Sequence, residues 1–153
     1  MSSDGSSLVF RSVPAHLQLG AADKRLLREF ARTLSDRIAP GRAFFCLITN
    51  DKQLRRLNRE FLKHDYPTDV LSFPSVQRFG DIGEMAISIE RAEAQAREQE
   101  HSLVDELRVL MLHGALHLSG MDHERDGGKM ARVERKLRIE LGLPDGLIAR
   151  TRK

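Results

Sequence analysis

His113-Gly114-Ala115-Leu116-His117-Leu118-Ser119-Gly120-Met121-Asp122-His123 holds three of the chain's six histidines, spaced H-x3-H-x5-H. Leu107, Leu110, Met111 and Leu116 give this region the most apolar helical pattern in the sequence, and side chains four apart on a helix share one face. His113 and His117 are therefore predicted one turn apart on that face. Gly120, two residues past Leu118, is suited to the left-handed backbone that ends a helix and turns the chain. Such a turn brings His123 back towards the other two. A lone histidine beside an apolar helix is ordinarily a hydrogen-bonded boundary residue. Three converging imidazoles with one open position instead describe a catalytic zinc site, because structural sites are normally closed by four protein ligands.

The flanking segments predict one α+β domain. Ser102 with Asp105 three residues on forms a capping box that opens the histidine helix. Upstream, residues 90–100 are strongly charged with Ala92, Ala94 and Ala96, which suits an exposed helix. Residues 68–74 and 83–89 read as strands joined by a short loop and able to pair as a hairpin. Residues 43–49 are a continuous apolar run, as expected of a central strand, and Asn50-Asp51 caps a helix marked by Leu54, Leu57, Phe61 and Leu62. Leu26, Leu27, Phe30, Ala31, Leu34 and Ile38 predict a helix over 21–38, ended by Pro40-Gly41. Residues 8–13 alternate as a first strand and stop at Pro14. Downstream, 129–141 is a last helix ending at Gly142 and Pro144. The order β-α-β-α-β-β-α-α-α implies a small mixed sheet packed by about five helices, with the zinc site on the histidine helix and the turn after it. Residues 1–7 are expected to be disordered, 8–145 to form the domain, and 146–153 to be a basic tail.

Bulk properties exclude several classes. At 153 residues and 41% hydrophobic content, the chain supports one soluble core. Its net charge of +3, from 25 basic and 22 acidic residues, permits an anionic partner without requiring one. Cys46 is the sole cysteine, so no disulfide forms within the chain and a reducing cytoplasm fits. There is no basic-then-apolar leader and no 18-residue apolar run, so neither export nor a membrane is expected.

The stretch HGALHLSGMDH, together with Pro67-Thr-Asp-Val-Leu-Ser-Phe-Pro74 and Gly83-Glu-Met-Ala-Ile-Ser88, resembles the YbeY-type endoribonuclease family over residues 43–141. The resemblance implies a cytosolic protein binding one zinc ion through His113, His117 and His123. It implies single-strand-specific RNA cleavage in ribosomal RNA maturation, notably at the small-subunit 3′ end, and a part in ribosome quality control. Ribosomal RNA and the small subunit are then the partners. Relatives often carry an arginine just after the aromatic that ends the second helix, where this chain has Leu62 after Phe61. Lys63, His64 or Arg59 would take over its contact with RNA.

The chemistry separates the alternatives. Three neutral imidazoles leave the charge of zinc uncompensated, so a bound water can be lowered to a pKa near ~7, and a phosphoryl oxygen can be polarised. The three histidines are catalytic in this sense, through that water. The motif also resembles H-E-x-x-H-x-x-G-x-x-H of metzincin peptidases, but Gly114 replaces the glutamate general base. Hydrolysis of peptides or small esters thus lacks its usual proton acceptor, whereas RNA carries its own nucleophile in the 2′-hydroxyl. Asp122 is read as a partner of a ligand ring. A ribosome assembly factor with structural zinc is the non-catalytic alternative. Basic residues on the second and last helices are interleaved with Glu60, Glu134 and Glu140 as solvated faces, while Arg150, Arg152 and Lys153 in the tail suit loose nucleic-acid contact.

Overall fold

A computed structural model describes residues 6–61, 68–75, 81–121 and 126–144. Four strands, β1 (Ser7–Phe10), β2 (Phe44–Thr49), β3 (Val70–Pro74) and β4 (Gly83–Ser88), form one sheet in the order β1-β2-β4-β3. Strands β1, β2 and β4 run parallel, and β3 lies antiparallel along β4 with Ser72 opposite Met85. The helices are α1 (Ala21–Ile38), α2 (Asp51–Phe61), α3 (Ile89–Gln99), α4 (Leu103–Leu118) and α5 (Lys129–Glu140). The small mixed sheet and five helices are those expected from the sequence.

Strand alternation sorts the two sheet faces. Phe44, Cys46 and Ile48 of β2 and Met85 and Ile87 of β4 join α1 and α4 in the main core. On the other face Leu47 and Ala86 meet Leu54 and Leu57 of α2 in a smaller cluster with Leu71 and Phe73. The histidine helix is the centrepiece of the main core. Leu107, Leu110, Met111 and Leu116 are fully buried, each contributing about 1.5–3 kcal/mol of hydrophobic stabilisation. The helix α4 packs against α1, α3, α5 and the β3–β4 pair, so its histidines ride on a fixed scaffold.

Caps set the element ends. The Ser102 hydroxyl accepts from the Asp105 amide at 3.0 Å and opens α4, as predicted. The Asn50 side chain accepts from Gln53 at 2.8 Å and opens α2. At Gly120 the backbone takes φ +101°, and its amide donates to the His117 carbonyl at 3.0 Å.

Three details differ from the sequence reading. The first strand begins at Ser7 and ends at Phe10; Ser12 takes a positive φ of 56°, and a short 3-10 turn, Ala15–Leu17, follows Pro14. The helix α3 is not simply exposed, because Ala92 and Ala96 are buried where α3 packs on α4. Third, Glu134 is not on a solvated face. It is 2% exposed, on the buried stripe Met130-Glu134-Leu137 of α5.

Candidate metal centre

One turn apart near the C-terminal end of α4, His113 and His117 point the same way. Their Nε2 atoms stand 3.1 Å apart, with the rings edge to face. His113 is 8% exposed, and its Nδ1 lies 2.8 Å from Oε2 of Glu134 on α5. The Nδ1 of His117 lies 3.0 Å from the Met121 carbonyl oxygen. That carbonyl is held in place because the Met121 amide donates to Leu116 O at 3.2 Å, just beyond the Gly120 turn.

These contacts dictate a proton arrangement. A carbonyl oxygen only accepts, and an ionised carboxylate only accepts, so each Nδ1 must carry the hydrogen. The tautomers follow from the network. In the neutral rings both Nε2 atoms then present lone pairs, facing one another at 3.1 Å. Two lone pairs at that distance repel unless something positive lies against both. Nitrogens bound to one tetrahedral zinc at about 2.0–2.1 Å would themselves be roughly 3.3–3.4 Å apart. The pair therefore fits a divalent ion in both donor set and spacing.

His123 and Asp122 lie outside the described residues, as do Lys63 and His64. Among the described residues no group of three His, Cys, Asp or Glu side chains is placed to hold a metal ion. Arg59 is exposed on α2, which packs against the opposite face of the sheet from α4. The Thr68–Ser72 block ties elements together: the Asp69 carboxylate accepts from Gln95 at 2.7 Å, and the Ser72 hydroxyl donates to the Gly114 carbonyl at 3.3 Å.

Gly114 has a packing reason beside its chemical one. A Cβ there would meet Met85 Sδ at 3.0 Å and Ser72 Oγ at 3.3 Å. The position faces the sheet, and a side chain on it would wedge α4 away from β3 and β4. Cys46 is a core residue: burial pushes its thiol far above the ordinary range, which keeps it protonated and unreactive.

Sequence reasoning missed two contributors. The Met121 carbonyl leaves no trace in a sequence. Glu134 left one, since it shares the helical spacing of Met130 and Leu137, and a carboxylate on an apolar stripe needs a partner. Its charged neighbours in the sequence, Arg132, Arg135 and Lys136, instead suggest a surface acid.

Fold and site together define a single-domain α+β protein whose central helix presents a paired-imidazole, carboxylate-backed centre. Residues 19–142 match the family described as Endoribonuclease YbeY, and the chain belongs to it. It is 52% identical over 149 residues to the endoribonuclease YbeY of Solibacter usitatus, covering 97% of each chain. It is also 52% identical over 107 residues, 70% of each chain, to that of Koribacter versatilis. Among solved structures, the solution structure of TM1509 from Thermotoga maritima is similar, with a TM-score of 0.59 and 25% identity over 87% of this chain and 85% of that one.

Proposed function

We propose that this chain is a zinc-dependent, single-strand-specific endoribonuclease of ribosomal RNA maturation, acting at the small-subunit 3′ end and in ribosome quality control. One zinc ion per chain is held by His113, His117 and His123. Family membership supports the endoribonuclease reading. The metal reading rests on one observation: both outer nitrogens of His113 and His117 are committed as donors, which turns two Nε2 lone pairs towards a common point.

In this mechanism α4 supplies rigidity. His113 and His117 cannot swing apart, because Glu134 and the Met121 carbonyl hold their rings. When bound, zinc supplies positive charge that stabilises a phosphorane-like transition state at the scissile phosphate. The chain offers no glutamate at position 114, and RNA can do without that proton acceptor, because its own 2′-hydroxyl can attack the phosphorus as the bond to the 5′-oxygen breaks. Arg59, Lys63 and His64 are the proposed RNA contacts and Asp122 a proposed partner of a ligand ring. The basic tail, 146–153, adds loose phosphate contact that weakens as salt rises.

The peptidase alternative is weakened by the orientation of Gly114 towards Met85 and Ser72. No helix among the described residues is long and apolar enough to cross a membrane, and the proposed place of action is the cytoplasm. Incubating the purified protein with a single-stranded RNA carrying a small-subunit 3′ end tests the proposal. Cleavage that is abolished by chelation and restored by zinc supports it; cleavage indifferent to chelation contradicts the metal part.

A further inference from the structure

We infer that Glu134 is a positioning residue for this centre: it fixes the tautomer and ring orientation of His113, and so makes α5 part of the metal-binding unit. The inference rests on the reading of His113 as a ligand and extends it to a residue in a different helix.

Three observations carry it. First, Oε2 of Glu134 lies 2.8 Å from Nδ1 of His113, within the range of a strong charge-assisted hydrogen bond. Second, the two side chains are 3% and 10% exposed. A carboxylate so far from water is costly unless it is engaged, and this one lies between the buried Met130 and Leu137. Third, α5 is fixed at both ends. At the start the Asp126 carboxylate accepts from Met130 at 2.8 Å and from Gly128 at 3.0 Å. At the finish Glu140 pairs with Arg37 of α1, and the Leu143 amide donates to Arg138 O at 2.9 Å. Glu134 is thus presented by a helix that cannot easily rotate.

The chemical consequence is specific. An acceptor-only carboxylate at Nδ1 demands the Nδ1–H tautomer, leaving Nε2 unprotonated and electron-rich for an ion. Hydrogen-bond partners of this kind typically change metal affinity by roughly 10–100-fold when removed. The Met121 carbonyl does the same for His117, but backbone cannot be substituted away, so Glu134 is the testable half of the pair.

The experiment uses the full-length chain, native and as Glu134→Leu and Glu134→Gln. Zinc affinity is measured by competition with a chromophoric chelator, and the His113 tautomer by nitrogen-15 NMR of the metal-free protein. The inference expects native His113 to be in the Nδ1–H form. It expects Glu134→Leu to lose roughly 10–100-fold in zinc affinity and to release that tautomer. Glu134→Gln, whose amide oxygen still accepts, should fall between. Equal zinc affinity in all three proteins, with an unchanged tautomer, overturns the inference and leaves Glu134 a structural hydrogen-bond partner of His113 only. If Glu134→Leu does not fold, Glu134→Gln decides, and native affinity with a native tautomer overturns the inference. Failure of the native protein to bind zinc overturns the metal reading instead, and the tautomer measurement still decides whether Glu134 governs His113.

Discussion

The Nε2 atoms of His113 and His117 face one another at 3.1 Å, while their Nδ1 atoms are engaged by Glu134 and by the Met121 carbonyl. The two histidines are nevertheless unequal. His113 backs onto a buried carboxylate, whereas His117 is half-buried and backs onto a turn.

That inequality predicts a split between stability and metal binding. His113→Ala removes a partner from the buried Glu134 and should cost the metal-free protein about 2–3 kcal/mol. His117→Ala should cost less, about 1 kcal/mol, because His117 is half-buried and its Nδ1 partner is a backbone carbonyl rather than a buried carboxylate. Both should lose zinc. Denaturant unfolding of the metal-free variants, with zinc measured by elemental analysis, checks this; equal destabilisation would refute the asymmetry.

A tight packing point lies between the sheet and the end of the histidine helix. Gly83 has φ +145°, and a Cβ there would come within 2.5 Å of Phe73 O and 2.8 Å of Leu118 Cδ2. Phe73 O is backbone and cannot swing aside. Gly83→Ala should therefore destabilise by about 3 kcal/mol, combining backbone strain with overpacking. A change within about 0.5 kcal/mol, the scatter of ordinary surface substitutions, would show that β3 and β4 yield more easily than their pairing suggests.

Position 114 tests chemistry and packing together. Gly114→Glu restores the peptidase pattern on paper, but the new side chain starts 3.0 Å from Met85 Sδ. Overpacking and an unpartnered carboxylate against the sheet should cost at least about 3 kcal/mol. We expect no peptidase activity on a peptide library. A stable, proteolytically active variant would show that this face opens to substrate.

The start of α5 supplies a pH dependence. Desolvation is the largest single influence on the Asp126 carboxyl and pushes it up, but it is outweighed by the backbone N–H groups acting together, that of Met130 foremost, then Gly128 and Lys129. These hold the carboxyl below its ordinary 3.8. A depressed folded-state pKa means the charged form is favoured by folding. Its stabilisation is therefore fully present above the unfolded value and is lost as pH falls below 3.8 towards the folded one. Comparing Asp126→Asn with the native protein across that window should show the difference between them shrinking as pH falls. A difference independent of pH would remove the charge from the cap.

Much of this was legible in the sequence, for physical reasons. Period and caps carried the helices: Ser102 and Asn50 cap as their side chains predict, and Gly120 turns left-handed where the pattern stops. The β3–β4 pairing followed from two short runs with little chain between them. Tertiary relationships were harder to read. Nothing local says that Glu134 meets a histidine twenty-one residues earlier, nor that α3 lays Ala92 and Ala96 on α4. The early end of β1 at Phe10 is also hidden, because Ser12 leaves the extended region two residues before Pro14, and nothing in the residue pattern marks that step.

The central claim is that RNA is cut at the histidine centre. The most direct test incubates native protein and His113→Ala, purified identically, with single-stranded RNA bearing a small-subunit 3′ end. The account predicts cleavage by the native protein and at least a 100-fold loss, about 2.7 kcal/mol of transition-state stabilisation, in the variant. Equal cleavage by both would contradict it and place the activity elsewhere.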